Sequence, residues 1–180
     1  MTIVGVFMEH ISEILVSEDE IKSIVAGLAA RINKDYAGKR LLLIGILKGA
    51  YVFLADLARA LTVPCEIEFL RVSSYRTDTR SGKLEMVQDL TMPIEAYDVL
   101  VVEDILDSGK TLSAMLRHLQ SKNPRSLALC AFLDKPSRRI VPVEADYIGK
   151  QIPDAFVVGY GLDYAQRYRS LPYIGILNLE

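Results

Sequence analysis

Three acidic residues lie just before or at the start of a short glycine-containing loop in the middle of the chain. Glu103 and Asp104 follow an apolar run, and Asp107 begins the segment Asp107-Ser108-Gly109-Lys110-Thr111. Such a loop before a helix presents backbone N–H groups and the positive helix end, which together favour a phosphate monoester. Adjacent carboxylates would repel that phosphate, so they serve the vicinal hydroxyls of a ribose or a divalent cation bound to it. A sugar phosphate is the ligand that this combination indicates.

Three better-known motifs fail at single positions of the same region. A Walker A loop needs a glycine where Asp104 stands, five residues before Gly109. The dinucleotide fingerprint needs a third glycine after Gly159-Tyr160-Gly161, and that position holds Tyr164. Ser108 lacks the first glycine of a nucleophile elbow. Triphosphate hydrolysis, hydride transfer and serine hydrolysis therefore have little support.

The elements around this loop alternate between strand and helix. Ser17-Glu18-Asp19-Glu20 is a capping-box pattern, and it predicts a helix to about Asn33. Apolar runs at 41–46 and 97–102 predict fully buried strands, the second ending at Glu103 and Asp104. Further helices are expected at 51–61 and after Thr111, and further strands at 65–73, 84–90 and 126–133. Strands near 147–149, 156–159 and 174–177 complete the sheet or a small attached hood. The pattern predicts an α/β fold with a parallel sheet.

Length and composition exclude several classes of protein. The 180 residues suit one domain, and 51% hydrophobic with 24% charged residues indicates a compact globule. The near balance of 21 Lys and Arg against 23 Asp and Glu argues against broad binding to nucleic acid or anionic lipid. Cys65 and Cys130 are expected to be reduced thiols, and His10 and His118 lack metal or triad spacing. No apolar run is long enough to span a bilayer and no signal-peptide pattern opens the chain, so a cytoplasmic location is expected.

A polar segment at residues 73–82 interrupts this apolar chain. From the residues alone, a solvated hairpin tip and a lid over a reaction centre are equally supported.

The run of residues 99–111 resembles the thirteen-position phosphoribosyl pyrophosphate signature of type I phosphoribosyltransferases. Other segments resemble the hypoxanthine-guanine branch of that family, and the resemblance extends from about residue 13 onward. These segments are Leu47-Lys48-Gly49, Ser73-Ser74-Tyr75, Leu133-Asp134-Lys135-Pro136 and the run at 154–164. The resemblance implies a parallel-sheet phosphoribosyltransferase core flanked by helices, with a small hood over the base site. It implies one domain over 1–180, the core at about 15–140, and the hood from the N-terminal segment and about 141–180.

The resemblance also assigns roles on the sugar-phosphate side. Glu103 and Asp104 would bind the ribose hydroxyls and their Mg²⁺, with Asp163 as a second magnesium ligand. The turn at Lys48 and Gly49, often containing a cis peptide in the family, would bind pyrophosphate together with Arg169. The residues expected around the 5′-phosphate are Asp107, Ser108, Gly109, Lys110 and Thr111.

On the base side, the resemblance predicts selection of a 6-oxopurine. Lys135 would donate to the exocyclic O6, which adenine replaces with an amine. Phe156 would stack on the purine, while the Val157 backbone and Asp163 would lie at its edge. Asp107 would accept the N7 proton as general base. Ser74 and Tyr75 match the closing loop of the family, which favours the lid interpretation of the polar segment.

The predicted activity is transfer of a phosphoribosyl group to hypoxanthine or guanine, with Mg²⁺ as cofactor and two small-molecule substrates. Neither nucleic acid nor membrane is an expected partner, and the family's habit suggests a homodimer or homotetramer. Two alternatives stay open: an RNA-binding regulator of the same fold, and a xanthine-preferring transferase. The near-neutral charge and the pair Lys135 and Phe156 weigh against the regulator.

Overall fold

The computed structural model describes residues 10–74 and 84–178. In chain order the elements are β1 (His10–Val16), α1 (Glu18–Asp35), β2 (Leu41–Leu47), α2 (Tyr51–Ala60), β3 (Cys65–Ser74), β4 (Leu84–Gln88), β5 (Asp98–Leu106), α3 (Lys110–Gln120), β6 (Ser126–Asp134), a 3-10 turn (Pro136–Arg138), β7 (Tyr147–Gln151), β8 (Val157–Val158) and β9 (Ile174–Asn178). The alternation of strand and helix is confirmed, and most bounds lie within one or two residues of those predicted.

A six-stranded sheet in the order β4-β3-β2-β5-β6-β7 forms the centre of the fold. Its strands are parallel except β4, which pairs antiparallel with β3. Leu41 and Leu43 belong to the core that packs with α1 and α2, whereas Leu42 and Ile44 belong to the core that packs with α3. Both faces of the central strands are therefore covered by helices, which explains their unbroken apolar sequence. Across the described residues, no helix is both long and apolar enough to cross a membrane.

A second sheet joins the two ends of the chain. It has three strands in the order β1-β9-β8, all antiparallel. The expected start of the hood near residue 141 is wrong, because β7 pairs parallel with β6 and extends the large sheet. Among residues 91–178, the strands that belong to the small sheet are β8 and β9.

Strand β5 is longer than predicted. The expected end at residue 102 is wrong, because pairing with β6 continues from Glu103↔Ala131 to Leu106↔Asp134. Glu103 and Asp104 therefore lie within the strand and not in the loop that follows it. The backbone hydrogen bonds of a strand do not depend on side-chain polarity, so two acids can extend β5 beyond its apolar run.

The predicted capping box of α1 is confirmed. The Glu20 backbone N–H donates to Ser17 Oγ at 3.3 Å, and the Ser17 N–H donates to Glu20 Oε2 at 3.4 Å. Ser17→Ala is expected to lower the free energy of unfolding by about 1 kcal/mol, because it removes one of these two bonds. Thermal unfolding should show a decrease in Tm of about 2–4 °C, with Ser23→Ala, in the helix interior, as the comparison. An unchanged Tm would show that water replaces the Ser17 hydroxyl as the cap without a loss of stability.

Candidate functional site

The carboxyl ends of three parallel strands bring the predicted residues to one edge of the large sheet. Strand β2 leads into Lys48 and Gly49, β5 leads into Asp107, and β6 leads into Lys135. Because β2, β5 and β6 are neighbours with the same direction, these three connections lie side by side. Ligands of open parallel sheets bind at this edge.

The loop between β5 and α3 is held firmly from outside. The N–H groups of Ile140 and Val141 both donate to the Ser108 carbonyl at 3.0 Å, and Arg139 donates to the Asp107 carbonyl. Gly109 has a φ of +78°, and a Cβ there would lie 2.6 Å from the Val141 carbonyl oxygen. Glycine is required here by both conformation and space. The N-terminus of α3 follows immediately at Lys110, as an anion site requires.

Glu103 and Asp104 form a partly buried acidic pair beside this loop. Burial raises the pKa of Glu103 well above its usual range, and the neighbouring Asp104 carboxylate raises it further. Burial also raises the pKa of Asp104, against the opposing effect of hydrogen bonds such as the one from the Ile105 N–H at 2.7 Å. Among the described residues, Glu103 Oε2 is buried and has no hydrogen-bond partner. Two carboxylates in this condition suit a cation or a set of hydroxyl donors.

Among the described residues, a cation at this pair would find only part of its ligand shell. Within residues 10–74 and 84–178, no group of three or more His, Cys, Asp or Glu side chains is arranged to hold a metal ion. Mg²⁺ usually takes one or two carboxylates and completes its shell with substrate oxygens and water. Glu103 and Asp104 therefore fit Mg²⁺ bound together with a ligand.

The structure brings Lys48, Asp163 and Arg169 together in one network of polar contacts. Arg169 Nη2 lies 2.8 Å from Asp163 Oδ1, and Lys48 Nζ donates to Gln166 Oε1 at 2.9 Å. The Gln166 N–H donates to Asp163 Oδ2 at 2.8 Å, which completes the network. Gln166 was not among the predicted site residues. The peptide between Leu47 and Lys48 is cis, as the resemblance implied.

The segment that carries Asp163 and Arg169 is anchored to α2 by Tyr160. Tyr160 is buried, its ring centroid lies 5.0 Å from that of Phe132, and its hydroxyl donates to Asp56 Oδ2 at 2.8 Å. Gly161 exchanges two hydrogen bonds with Arg169, one of them from the guanidinium at 2.7 Å. These contacts fix the segment that carries Asp163 and Arg169 against α2.

A cavity of about 340 Å³ opens next to Asp107 and contains the predicted base-binding residues. It is lined by Ile105, Asp107, Lys135, Arg138, Asp154, Ala155, Phe156, Val157, Leu162 and Asp163. Lys135 is only 8% exposed, and its Nζ donates to the Ala155 carbonyl at 2.5 Å. Phe156 is 46% exposed and meets the Tyr164 ring edge-on at 5.7 Å. An exposed aromatic beside a buried ammonium suits a flat ligand that accepts a hydrogen bond at its edge.

Two charged residues of this cavity, Arg138 and Asp154, were not predicted from the sequence. Arg138 Nε lies 3.5 Å from Asp107 Oδ1, and Arg138 Nη1 lies 3.7 Å from Asp154 Oδ2. The sequence did hold one signal that could have identified Arg138. It lies three residues after Lys135, a spacing that places both side chains on one face of a 3-10 turn. The next residue, Arg139, forms an ion pair with the buried Asp134 carboxylate and donates to the Asp107 backbone carbonyl.

A larger cavity of about 430 Å³ lies between α1, α2 and residues 169–172 and is mostly apolar. Of the predicted site residues that the structure describes, only Arg169 lines it. Asp107, from the loop between β5 and α3, lines the smaller cavity together with several other charged side chains, so we place the candidate site there.

The predicted lid is only partly covered by the described residues. Ser74 is the last residue of β3, and Tyr75 lies outside the described residues. The assignment of these two residues to a lid stays a prediction.

Comparison with known proteins identifies the family. The family model for the phosphoribosyl transferase domain matches residues 13–165. The chain is 47% identical over 171 residues to the hypoxanthine-guanine phosphoribosyltransferase of Staphylococcus aureus, covering 94% of this chain and 96% of that protein. It is also 47% identical over 171 residues to the hypoxanthine phosphoribosyltransferase of Salmonella typhimurium, covering 93% of this chain and 96% of that protein. The crystal structure of a hypoxanthine phosphoribosyltransferase from Staphylococcus aureus matches with a TM-score of 0.90 at 47% identity, covering 93% of this chain and 92% of that one.

Proposed function

This chain belongs to the phosphoribosyl transferase family, and from that membership we propose that it is a purine-salvage enzyme. It transfers the 5-phosphoribosyl group from phosphoribosyl pyrophosphate to N9 of hypoxanthine or guanine, giving IMP or GMP and pyrophosphate. The observation that carries this assignment is the buried ammonium of Lys135. Lys135 lines one cavity together with Phe156 and with Asp107, the first residue of the loop between β5 and α3. Relatives named for hypoxanthine and guanine support the choice of base.

The sugar-phosphate half of the substrate fits the edge of the large sheet. In this proposal the loop from Asp107 to Thr111 binds the 5′-phosphate, and Glu103 and Asp104 bind the ribose hydroxyls. Lys48, Gly49 and Arg169 bind the pyrophosphate. Glu103 and Asp104, with Asp163 near the pyrophosphate, would hold Mg²⁺, which supplies positive charge to the departing phosphates when bound. The Glu103 Oε2 atom, which is buried and has no hydrogen-bond partner within the described part of the chain, supports this assignment.

The proposed reaction breaks the bond between C1′ and the pyrophosphate oxygen. The lone pair of purine N9 forms the new bond to C1′, and the bonding electrons leave with pyrophosphate. As N9 becomes bonded, the N7 proton passes to the Asp107 carboxylate, so the product base is neutral. The Arg169 guanidinium offsets charge that develops on the leaving oxygens. Ser74 and Tyr75 would exclude water, which competes for the electron-poor C1′.

Lys135 selects the base by donating to O6. Lys135→Met is expected to raise the KM for hypoxanthine about 10- to 100-fold, because a hydrogen bond from a charged donor is lost. The KM for phosphoribosyl pyrophosphate should stay unchanged. Steady-state kinetics with each substrate varied in turn provide the measurement, and Lys34→Met, an exposed change in the last turn of α1, is the control. Equal KM values for hypoxanthine in variant and parent would remove Lys135 from base recognition.

Initial rates with hypoxanthine, guanine, xanthine and adenine test the function itself. Phosphoribosyl pyrophosphate and Mg²⁺ are held constant, and nucleotide formation is followed for each base. Hypoxanthine or guanine should react fastest and adenine slowest, because Lys135 can donate to O6 but not to the adenine amine. If xanthine reacts fastest, the protein is a xanthine-preferring transferase and the assignment of the base is wrong. If no base reacts, the proposal as a whole is overturned.

The assembly is expected to be a homodimer or homotetramer. A cytoplasmic location remains a prediction from the sequence.

A further inference from the structure

Arg138 is placed in the base cavity by the 3-10 turn that follows β6. Pro136 begins this turn, and the Arg138 N–H donates to the Lys135 carbonyl at 3.1 Å. Residues three apart in a 3-10 turn lie on the same face. Lys135 and Arg138 therefore both line the cavity, although they do not bond the same partners.

The Asp107 carboxylate has two unequal oxygens. Asp107 Oδ1 is buried and, among the described residues, has no hydrogen-bond partner, whereas 43% of the side chain as a whole is exposed. Arg138 Nε, at 3.5 Å, is the cation of an ion pair to Oδ1. Asp107 Oδ1 therefore faces the Arg138 guanidinium, while the rest of the Asp107 carboxylate faces the cavity. A carboxylate without a hydrogen bond depends on such electrostatic contacts for its orientation.

Arg138 is itself oriented from the cavity mouth. Its Nη1 lies 3.7 Å from Asp154 Oδ2, so the guanidinium is between two carboxylates. The Arg138 and Asp154 side chains are each 55% exposed, which means that neither is fixed by packing alone. The row Asp154, Arg138, Asp107 crosses one side of the cavity in which we place the purine.

We propose that Arg138 is a positioning residue that holds Asp107 in the orientation from which it accepts the N7 proton. This inference rests on the proposed function, because it assigns a partner to the general base of that reaction. Arg138 acts through Asp107 and does not itself take a proton. Asp154 in turn holds Arg138.

The test is a double-mutant cycle between Arg138 and Asp107. Arg138→Met is expected to lower kcat for hypoxanthine about fivefold, which is about 1 kcal/mol, the upper end for an exposed ion pair. In the Asp107→Asn background the same change should alter kcat less than about twofold, because the group that Arg138 orients is no longer a base. Arg138→Lys keeps the charge and should restore part of the loss, and Asp154→Asn should lower kcat by about twofold.

The KM for phosphoribosyl pyrophosphate and the Tm should stay at parental values in Arg138→Met, which a purely structural role would not allow. Arg117→Met, an exposed change on α3, controls for the loss of one surface charge. An equal fall in kcat with and without Asp107, or no fall in either, would overturn the positioning role. Turnover by the unmodified protein separates the two hypotheses: its absence overturns the proposed function as well.

Discussion

Asp107→Asn is expected to lower kcat for transfer to hypoxanthine at least tenfold, because asparagine keeps the shape of the side chain but cannot accept the N7 proton. Positioned proton transfer typically contributes about 10²–10⁴-fold, so the full loss can be larger than this minimum. Binding of phosphoribosyl pyrophosphate should be retained. The bonds to the loop support this expectation, since Arg139, Ile140 and Val141 contact its backbone carbonyls and not the Asp107 side chain.

Single-turnover rates and calorimetric binding of phosphoribosyl pyrophosphate measure the two parts of this prediction separately. Asp19→Asn is the matched control, since its side chain is 95% exposed on α1. A rate equal to that of the parent would remove Asp107 from the role of general base. A loss of binding equal to the loss of rate would assign Asp107 to phosphate binding alone.

Gly49→Ala is expected to lower kcat/KM for phosphoribosyl pyrophosphate by about 10² or more. A Cβ at position 49 would lie 1.6 Å from Asp104 Oδ2, so the carboxylate must move away from its present position. A misplacement of about 1 Å in a reacting arrangement can reduce the rate about 10²-fold. The turn has little room to move away, because the Gly49 carbonyl oxygen packs closely against Gly161. A Cβ added at Gly161 would lie only 2.1 Å from that oxygen.

Gly27→Ala is the control for this substitution. A Cβ at Gly27 would have no atom within 4 Å, and the residue is exposed in the middle of α1. This change should leave kcat/KM unchanged and raise the free energy of unfolding by about 0.5–1 kcal/mol. Steady-state kinetics and thermal unfolding on both variants distinguish a local effect at Asp104 from general destabilisation. Full activity of Gly49→Ala would show that the Asp104 carboxylate need not hold its present position.

Local sequence signals predicted the parts of the fold that depend on neighbouring residues. The capping box at Ser17 and the loop at Gly109 are of this kind, because their hydrogen bonds and turn geometry are set within a few residues. The place of β7 in the large sheet could not be predicted in this way. It is a five-residue strand with only one fully buried residue, and its partner β6 lies across a separate turn.

The same distinction applies to the site. Glu103 and Asp104 follow an unbroken apolar run, so their chemistry and their place near the end of a strand could be predicted from the residues. Lys135 directly follows β6, but its role was predicted from the family resemblance and not from a local signal. Gln166 and Asp154 could not be predicted, because each reaches the site from an irregular segment whose approach depends on tertiary contacts. The Tyr160 anchor to α2 is one such contact, joining residues 104 positions apart. Polar residues in irregular segments carry no periodic signal that would single them out.

The central claim is that this protein joins a 6-oxopurine to phosphoribosyl pyrophosphate. The most direct measurement mixes purified protein, Mg²⁺, hypoxanthine and phosphoribosyl pyrophosphate and quantifies IMP and pyrophosphate over time. Equal amounts of the two products, formed only when both substrates are present, are the predicted result. Pyrophosphate release without IMP, or no reaction with either hypoxanthine or guanine, would contradict it.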